Sequence, residues 1–279
     1  MNKKVSIIIP CYNHGAYVKD ALGAAVNQTY ANIEIICIND GSTDNTREAV
    51  RQFMADHKDI IFIDNSVNQG VIAVRNQAIE ASSGDYILPL DADDMIDPTY
   101  VEKATKILDK NPQIGVVYCK TRLFGDKDEE LVLPPFSMDI LFSNCVNNCA
   151  LFRKSDFLEV GKYKAYMKNG LEDWDLWLSF LEKGCQFFRI EEPLLLYRQY
   201  KGPSRSDLAC SHLEELFQNI VRHHPKLYLT SDTCIRRIFK QDYEPKYRKY
   251  KKLWHLALAV IVVEMLALLF ILYRWPVAN

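Results

Sequence analysis

Apolar runs of strand length recur along the first 120 residues, and each is followed by a stretch with helical spacing. The runs are VSIIIP (5–10), IEIICIND (33–40), IIFID (60–64), DYILPLD (85–91) and IGVVYC (114–119). Helices are predicted between them, over about 16–27, 44–56, 70–81 and 98–111. Strands that alternate with helices of this length build βαβ units. The runs show little polar alternation, as expected of strands covered by helices on both faces. The pattern predicts an α/β fold on a mostly parallel sheet.

Ligands of such sheets bind beyond the carboxyl ends of the strands. Here those ends carry PCYNHG, NDGSTDNT, DNSVNQG and DADD. Each strand delivers polar residues to one rim, and this convergence says more than any single segment.

The pattern weakens from 120 to 143, where FGDKDEELVLPPF (124–136) reads as a hairpin or a solvated segment with a charged tip. A strand resumes over 147–153, a helix follows over 173–183, and QFFRI (186–190) and PLLLYR (193–198) read as two further strands. Residues 207–250 read as polar helices, a second module suited to an acceptor, to membrane headgroups or to a second copy of the chain.

LWHLALAVIVVEMLALLFILY (253–273) then changes the picture. It is about as long as a hydrocarbon core requires. The flank KYRKYKK (246–252) is basic, and Trp254, Tyr273 and Trp275 stand where interfacial aromatics belong. Glu264 is the feature against a membrane helix, because a carboxylate at mid-membrane is costly without a partner. A buried core or oligomerisation helix is the other reading. A spanning or deeply embedded helix is favoured, with the basic flank placing the main domain on the cytoplasmic side.

Charge is nearly balanced, with 34 Lys and Arg against 36 Asp and Glu, which argues against nucleic acid as the main partner. The 8 cysteines include no C-x-x-C pair, so a zinc site lacks its usual spacing. With no signal peptide read at the N-terminus, a reducing cytosolic setting is expected.

Asp91, Asp93 and Asp94 cluster where a buried strand emerges. Neighbouring carboxylates repel one another and require a counter-charge. A hard divalent cation, Mn²⁺ or Mg²⁺, suits carboxylate oxygens and completes its shell with water and substrate phosphates. Asp97 is read as the cap of the next helix, with Pro98 in its first turn. In CINDGSTDNT, Gly41 allows a tight turn, Asp44 caps a helix, and Asp40 stands at the strand tip, where it can accept a hydrogen bond from a base N–H.

Taken in order, SIIIPCYNHGAYVKDALGAAVNQTYANIEIICINDGSTDNT (6–46), NQGVIAVRNQAI (68–79), GDYILPLDADD (84–94) and EDWDLWLSF (172–180) resemble family-2 glycosyltransferases of the GT-A fold. The resemblance covers about 5–198. Such enzymes move a sugar from a nucleotide diphosphate donor to an acceptor hydroxyl, with inversion at the anomeric carbon. The resemblance implies that Pro10 and Tyr12 line the base pocket, that Asp40 binds the base, and that Asn68 and Arg75 complete the nucleoside site. It implies further that Asp91 contacts the ribose or the sugar, that Asp93 coordinates the metal on the diphosphate, and that Glu172 lies on the acceptor side. Asp173 matches the general base, and the dipole of the helix it starts is expected to keep it ionised. Trp174 and Trp177 read as core packing, with Trp174 also able to floor the acceptor site.

One departure stands out. Many relatives carry a His two residues after the YR of the last strand, and here Tyr200 occupies that place. Arg198, Lys201 or Arg205 is expected to meet the phosphates instead. The resemblance implies a UDP-sugar donor, while the C-terminal helix suggests a saccharide or lipid-linked acceptor of a cell-envelope polymer at the membrane. The chain then divides into a nucleotide-sugar part (1–120), an acceptor part (121–206), a basic helical juxtamembrane region (207–252) and a membrane helix (253–273). A membrane-tethered nucleotide-sugar-binding scaffold without turnover is the alternative. A nucleotidyltransferase would need a basic Gly-rich loop at the N-terminus, and a processive synthase a QxxRW motif. Neither is present.

Overall fold

The predicted strands and helices of the first 110 residues form. They are β1 (Val5–Cys11), α1 (Val18–Val26), β2 (Ile33–Asp40), α2 (Thr46–Met54), β3 (Ile60–Asn65), α3 (Val71–Ala81), β4 (Tyr86–Pro89) and α4 (Tyr100–Lys110). Asp97 accepts hydrogen bonds from the Thr99 N–H (2.9 Å) and hydroxyl (2.6 Å), which stops the chain for the turn into α4. Asp44 serves α2 in the same way, accepting from the Thr46 N–H at 2.9 Å. The computed structural model describes residues 2–200 and 205–232, together with Lys249 and Val263.

Strands β3, β2, β1 and β4 pair in parallel in that order. β1 is buried along its whole length. Ile7, Ile9, Val18, Leu22, Leu88 and Tyr100 belong to the main core cluster between sheet and helices. Each such fully buried aliphatic side chain contributes about 1.5–3 kcal/mol.

Beyond β4 the sheet is mixed, which corrects the expectation of a mostly parallel one. It continues through β8 (Leu151–Arg153), β6 (Ile114–Gly125), β9 (Gln186–Gln199) and the short β5 (Met95–Ile96), with β7 (Glu129–Leu131) on β6. β8 lies antiparallel to both β4 and β6. The β6–β7 hairpin reverses the chain, and after a 3-10 turn (Met138–Leu141) β8 keeps the sense of β7, so both run antiparallel to β6.

QFFRI and PLLLYR are one strand rather than two, because β9 runs parallel to β6 with register shifts on either side of Lys120, the partner of Pro193. A proline cannot donate to the ladder and sits at such an irregularity. α5 (Lys154–Glu159) and α6 (Glu172–Glu182) lie between β8 and β9 in the chain, and α7 (Arg205–Ser211) and α8 (Leu213–His223) follow.

Two compact units divide the chain, Met1–Pro225 and Lys226–Asn279. α9 (Pro225–Thr230) falls at the division. Among the described residues no helix is long and apolar enough to cross a membrane. The expected membrane segment 253–273, apart from Val263, and its basic flank, apart from Lys249, lie outside the described residues, as does Lys201. Cys11, Cys37, Cys119, Cys145, Cys149, Cys185 and Cys210 are free thiols.

Candidate active site

The ends of β1, β2 and β3 are knitted into one surface. Pro10 is buried in β1 opposite Ile38 of β2. Tyr12, just past the strand end, is 45% exposed. Asn13 follows in a left-handed conformation, donates its N–H to the Ser42 hydroxyl at 3.0 Å and accepts from the Thr43 N–H at 2.8 Å. Gly41 has φ +67°, and a Cβ there would meet the Val67–Asn68 backbone at 2.7 Å. Only glycine meets both demands. Asn68 is exposed on that neighbouring loop. Asp40 is 2% exposed, and its two carboxylate oxygens accept from the Gln69 N–H (2.8 Å) and the Gly70 N–H (2.9 Å). It therefore braces the loop that leads into α3, and each of its oxygens keeps a second lone pair.

His14 links this surface to the acidic turn after β4, with Nε2 at 3.8 Å from Asp93 Oδ2. The three aspartates of that turn have separate partners. Asp94 is buried and accepts the Arg198 backbone N–H at 2.9 Å. Burial, then the charges of Asp91 and Asp93, raise its pKa well above the carboxylate range. Asp93 is also raised, by burial and by Asp91, and accepts from the Tyr200 hydroxyl at 3.3 Å. Asp91 receives Arg75 Nη2 at 2.6 Å. Burial pushes its carboxyl up, but the Arg75 charge outweighs burial and holds it below the usual range.

Arg75 joins two acidic regions. It projects from α3, is 3% exposed, and gives Nη1 to Glu172 Oε1 at 2.6 Å while Nη2 holds Asp91. Its guanidinium also lies 5.7 Å from the centre of the Tyr163 ring. Burial would lower its pKa, yet Asp91 and Glu172 raise it, so the charge is permanent. A planar fork holds two carboxylates at once in fixed directions, which a rotating ammonium does not. Glu172 is buried, and its other oxygen takes Arg205 Nη2 at 3.0 Å.

Next to it, Asp173 accepts from the Asn144 amide (2.9 Å) and from the Trp174 N–H (2.8 Å). Burial and the Glu172 charge push its carboxyl up to about 6. The helix dipole alone predicted a carboxylate held low, and here desolvation and a like charge outweigh it. At neutral pH the group is still mostly ionised, and a base is most effective with a pKa near the working pH.

Arg198 is placed differently from the expectation that it meets phosphates. Its Nε donates to the Asp93 carbonyl at 2.8 Å and its Nη2 pairs with Asp20 at 2.6 Å. The guanidinium sits over the rings of Tyr17 and Phe124, at 4.7 and 4.3 Å. It clamps the acidic turn from behind. Tyr200 stacks on Tyr17 with ring centres 5.6 Å apart.

The residues fit a divalent cation of one kind. Among the described residues no three His, Cys, Asp or Glu side chains converge as a metal cage. Asp93 nevertheless sits in surplus negative charge, with only neutral donors and His14 beside it. Mg²⁺-type ions are held by one or two carboxylates together with substrate phosphates, and Asp93 offers such a carboxylate.

Sequence reasoning did not anticipate Asn144, Tyr163 or Asn148, whose amide lies 3.5 Å from both Asp91 oxygens. Asn144 and Tyr163 stand in irregular segments without a periodic pattern, and Asn148 falls in the run 147–153 read as a strand, of which only Leu151–Arg153 forms one. Trp174 and Trp177 are buried, as expected, with the Trp174 indole N–H on the Ile140 carbonyl at 2.6 Å.

Comparison with known proteins places this geometry. Residues 6–161, more than half of the chain, match the model of glycosyl transferase family 2. An uncharacterised glycosyltransferase of Rickettsia typhi is 30% identical over 275 residues, covering 92% of this chain and 84% of its own. A poly-β-1,6-N-acetyl-D-glucosamine synthase of Staphylococcus epidermidis is 38% identical over 122 residues, 43% of this chain and 29% of the synthase. Among solved structures, S. aureus TarS 1–349 in complex with UDP-GlcNAc superposes with a TM-score of 0.67 at 17% identity, over 85% of this chain and 73% of TarS 1–349. The mannosyltransferase PcManGT from Pyrobaculum calidifontis, in complex with GDP-Man and Mn²⁺, superposes with a TM-score of 0.60 at 16% identity, over 92% and 81%. At those identities the two structures show the fold alone, a GT-A-like mixed α/β sheet with flanking helices. By sequence, and in agreement with its fold, the chain belongs to glycosyl transferase family 2.

Proposed function

We propose that this chain is a metal-dependent, inverting glycosyltransferase that moves a sugar from a UDP-sugar to an acceptor hydroxyl. The observation that carries the reading is the Arg75 bridge. One buried guanidinium ties Asp91, at the turn where a donor sugar would sit, to Glu172, next to the candidate base. Donor and acceptor chemistry are thereby held at fixed separation, which is what a single displacement requires.

In this reading Tyr12, Pro10, Asp40 and Asn68 receive the nucleoside, and Arg75 and Asp91 fix the sugar end. Asp173 removes the proton of the acceptor hydroxyl as the acceptor oxygen attacks the anomeric carbon, and the nucleoside diphosphate leaves from the opposite face. Asp93 would hold Mn²⁺ or Mg²⁺ against the diphosphate, where the ion supplies Lewis-acid neutralisation of the leaving group. Arg198 keeps the Asp93–Asp94 turn in place rather than meeting phosphate, and Arg205 joins Arg75 on Glu172. UDP-GlcNAc on TarS and Mn²⁺ on the mannosyltransferase support the donor and metal classes. The partial match to a polysaccharide synthase supports a saccharide or lipid-linked acceptor. The segment 253–273 is proposed to anchor the chain at the cytoplasmic side of the membrane.

The test is calorimetric binding of a panel of UDP-, GDP- and dTDP-sugars to the full chain in detergent, with Mn²⁺, Mg²⁺ or EDTA, followed by release of the nucleotide. Metal-dependent binding and turnover of one UDP-sugar is expected. A folded chain that binds a nucleotide sugar without turnover on any acceptor or on water favours a membrane-tethered scaffold, and no binding at all rejects both.

A further inference from the structure

Asp173 is held by uncharged donors alone, unlike the acidic residues beside it. Glu172 is paired with Arg75 and Arg205, and Asp175 with His224. The side-chain donor to Asp173 is Asn144, whose Nδ2 lies 2.9 Å from Oδ2. The other oxygen receives the Trp174 N–H. Asn144 is itself fixed, because its Oδ1 accepts the Val146 N–H at 3.1 Å, which decides the end of the amide that faces Asp173. Cys145 and Val146 are buried, and the Trp174 indole ties the preceding turn to α6 through the Ile140 carbonyl. The first turn of α6 and the 140–146 loop therefore clasp each other twice.

We propose that Asn144 is the positioning residue of the general base: it holds the Asp173 carboxylate in one orientation through a neutral amide, leaving it ionised yet basic. The proposal rests on the reading of Asp173 as that base. A Lys or Arg in the place of Asn144 would orient the carboxylate equally well but drive its basicity down. A residue without a donor would leave it held by the Trp174 N–H alone and less ionised. The charged and titratable groups facing Asp173 are Glu172, which raises it, Arg75 from α3, which lowers it, and Tyr163. Asn144 adds no charge to that set.

The experiment is a ¹³C-carboxyl NMR titration of the full chain, with the Asp173 signal assigned by its loss in Asp173→Asn. It is paired with the pH profile of metal-dependent donor turnover on water. Asn144→Ala is expected to raise the Asp173 titration by about 1 to 2 units, the equivalent of one hydrogen bond to the ionised form. The acidic limb of turnover should move with it, at unchanged KM for the donor. Asn144→Asp keeps the shape and the Val146 bond, and should push the limb above neutrality because two carboxylates then share a proton. It carries the test if the alanine variant does not fold. Titration and limb unchanged in both variants would overturn the proposal while leaving the base intact. Wild-type turnover in Asp173→Asn would instead overturn the base reading, and the proposal with it.

Discussion

The acidic turn after β4 and the first turn of α6 each hold three carboxylates within four residues, yet they are built to opposite ends. In α6 the charge is balanced by the protein. Glu172 has two arginines, and Asp175 has His224 at 3.2 Å as well as the Tyr166 hydroxyl at 3.0 Å. Only Asp173 is left with neutral donors. After β4 the arginine shared with Glu172 reaches Asp91 alone, Asp94 has a backbone N–H, and Asp93 has a phenol. The first cluster suits a base, and the second is one cation short. The same residue types thus take different roles according to the counter-charge that the fold brings to each.

Breaking the bridge between the two regions should have the largest effect. Arg75→Met strands Glu172 and Asp91 together, and removal of one partner from a buried ion pair costs about 3–5 kcal/mol. Denaturant unfolding should show that loss, with transfer below detection, and Arg75→Lys should not restore it. Asp173→Asn is expected to reduce turnover by roughly 10²–10⁴-fold at unchanged donor affinity, measured by calorimetry beside initial rates. In the wild type the rate should rise with pH through about 6, where Asp173 ionises.

His224 tests the balanced side alone. Burial lowers its pKa, but hydrogen bonds to Asp175 and Glu182 raise it above the ordinary value. A folded-state pKa above the unfolded one gives stability that is complete below the unfolded value and lost as pH rises through the folded value. The stability difference between wild type and His224→Gln, roughly 1–3 kcal/mol at pH 6, should therefore shrink on going to alkaline pH. A difference that grows with pH would contradict the charged triad. The smallest effect belongs to Tyr200→Phe, which removes a competitor for Asp93 Oδ2 and should raise Mn²⁺ affinity in the presence of UDP by only about two- to tenfold, read by calorimetry.

The polar rim was legible because buried strands announce themselves and deliver DADD and NDGSTDNT to one edge of the sheet. The loops at the ends of β1–β3 meet as expected, and Arg75 meets both Asp91 and Glu172, 97 residues away from it in the case of Glu172. That contact was legible only as two separate motifs, since no local pattern encodes a bridge between α3 and α6. The sense of β8 was not legible, because a three-residue strand gives no directional signal. The partners of Arg198 were not legible for a similar reason. An arginine at a strand end looks available for phosphate, and only the fold shows it stacked on Tyr17 and Phe124, with Nε on the Asp93 carbonyl and Nη2 on Asp20. The Asp173 basicity opposes the dipole because burial is a tertiary effect.

The most direct test of the contrast is where a cation goes. Electron paramagnetic resonance of Mn²⁺ should be recorded with UDP and the full chain as wild type, Asp93→Asn and Asp173→Asn. The account predicts a bound signal that requires UDP, is lost in Asp93→Asn and is unchanged in Asp173→Asn. A bound signal that survives in Asp93→Asn, or one that disappears in Asp173→Asn, would contradict it.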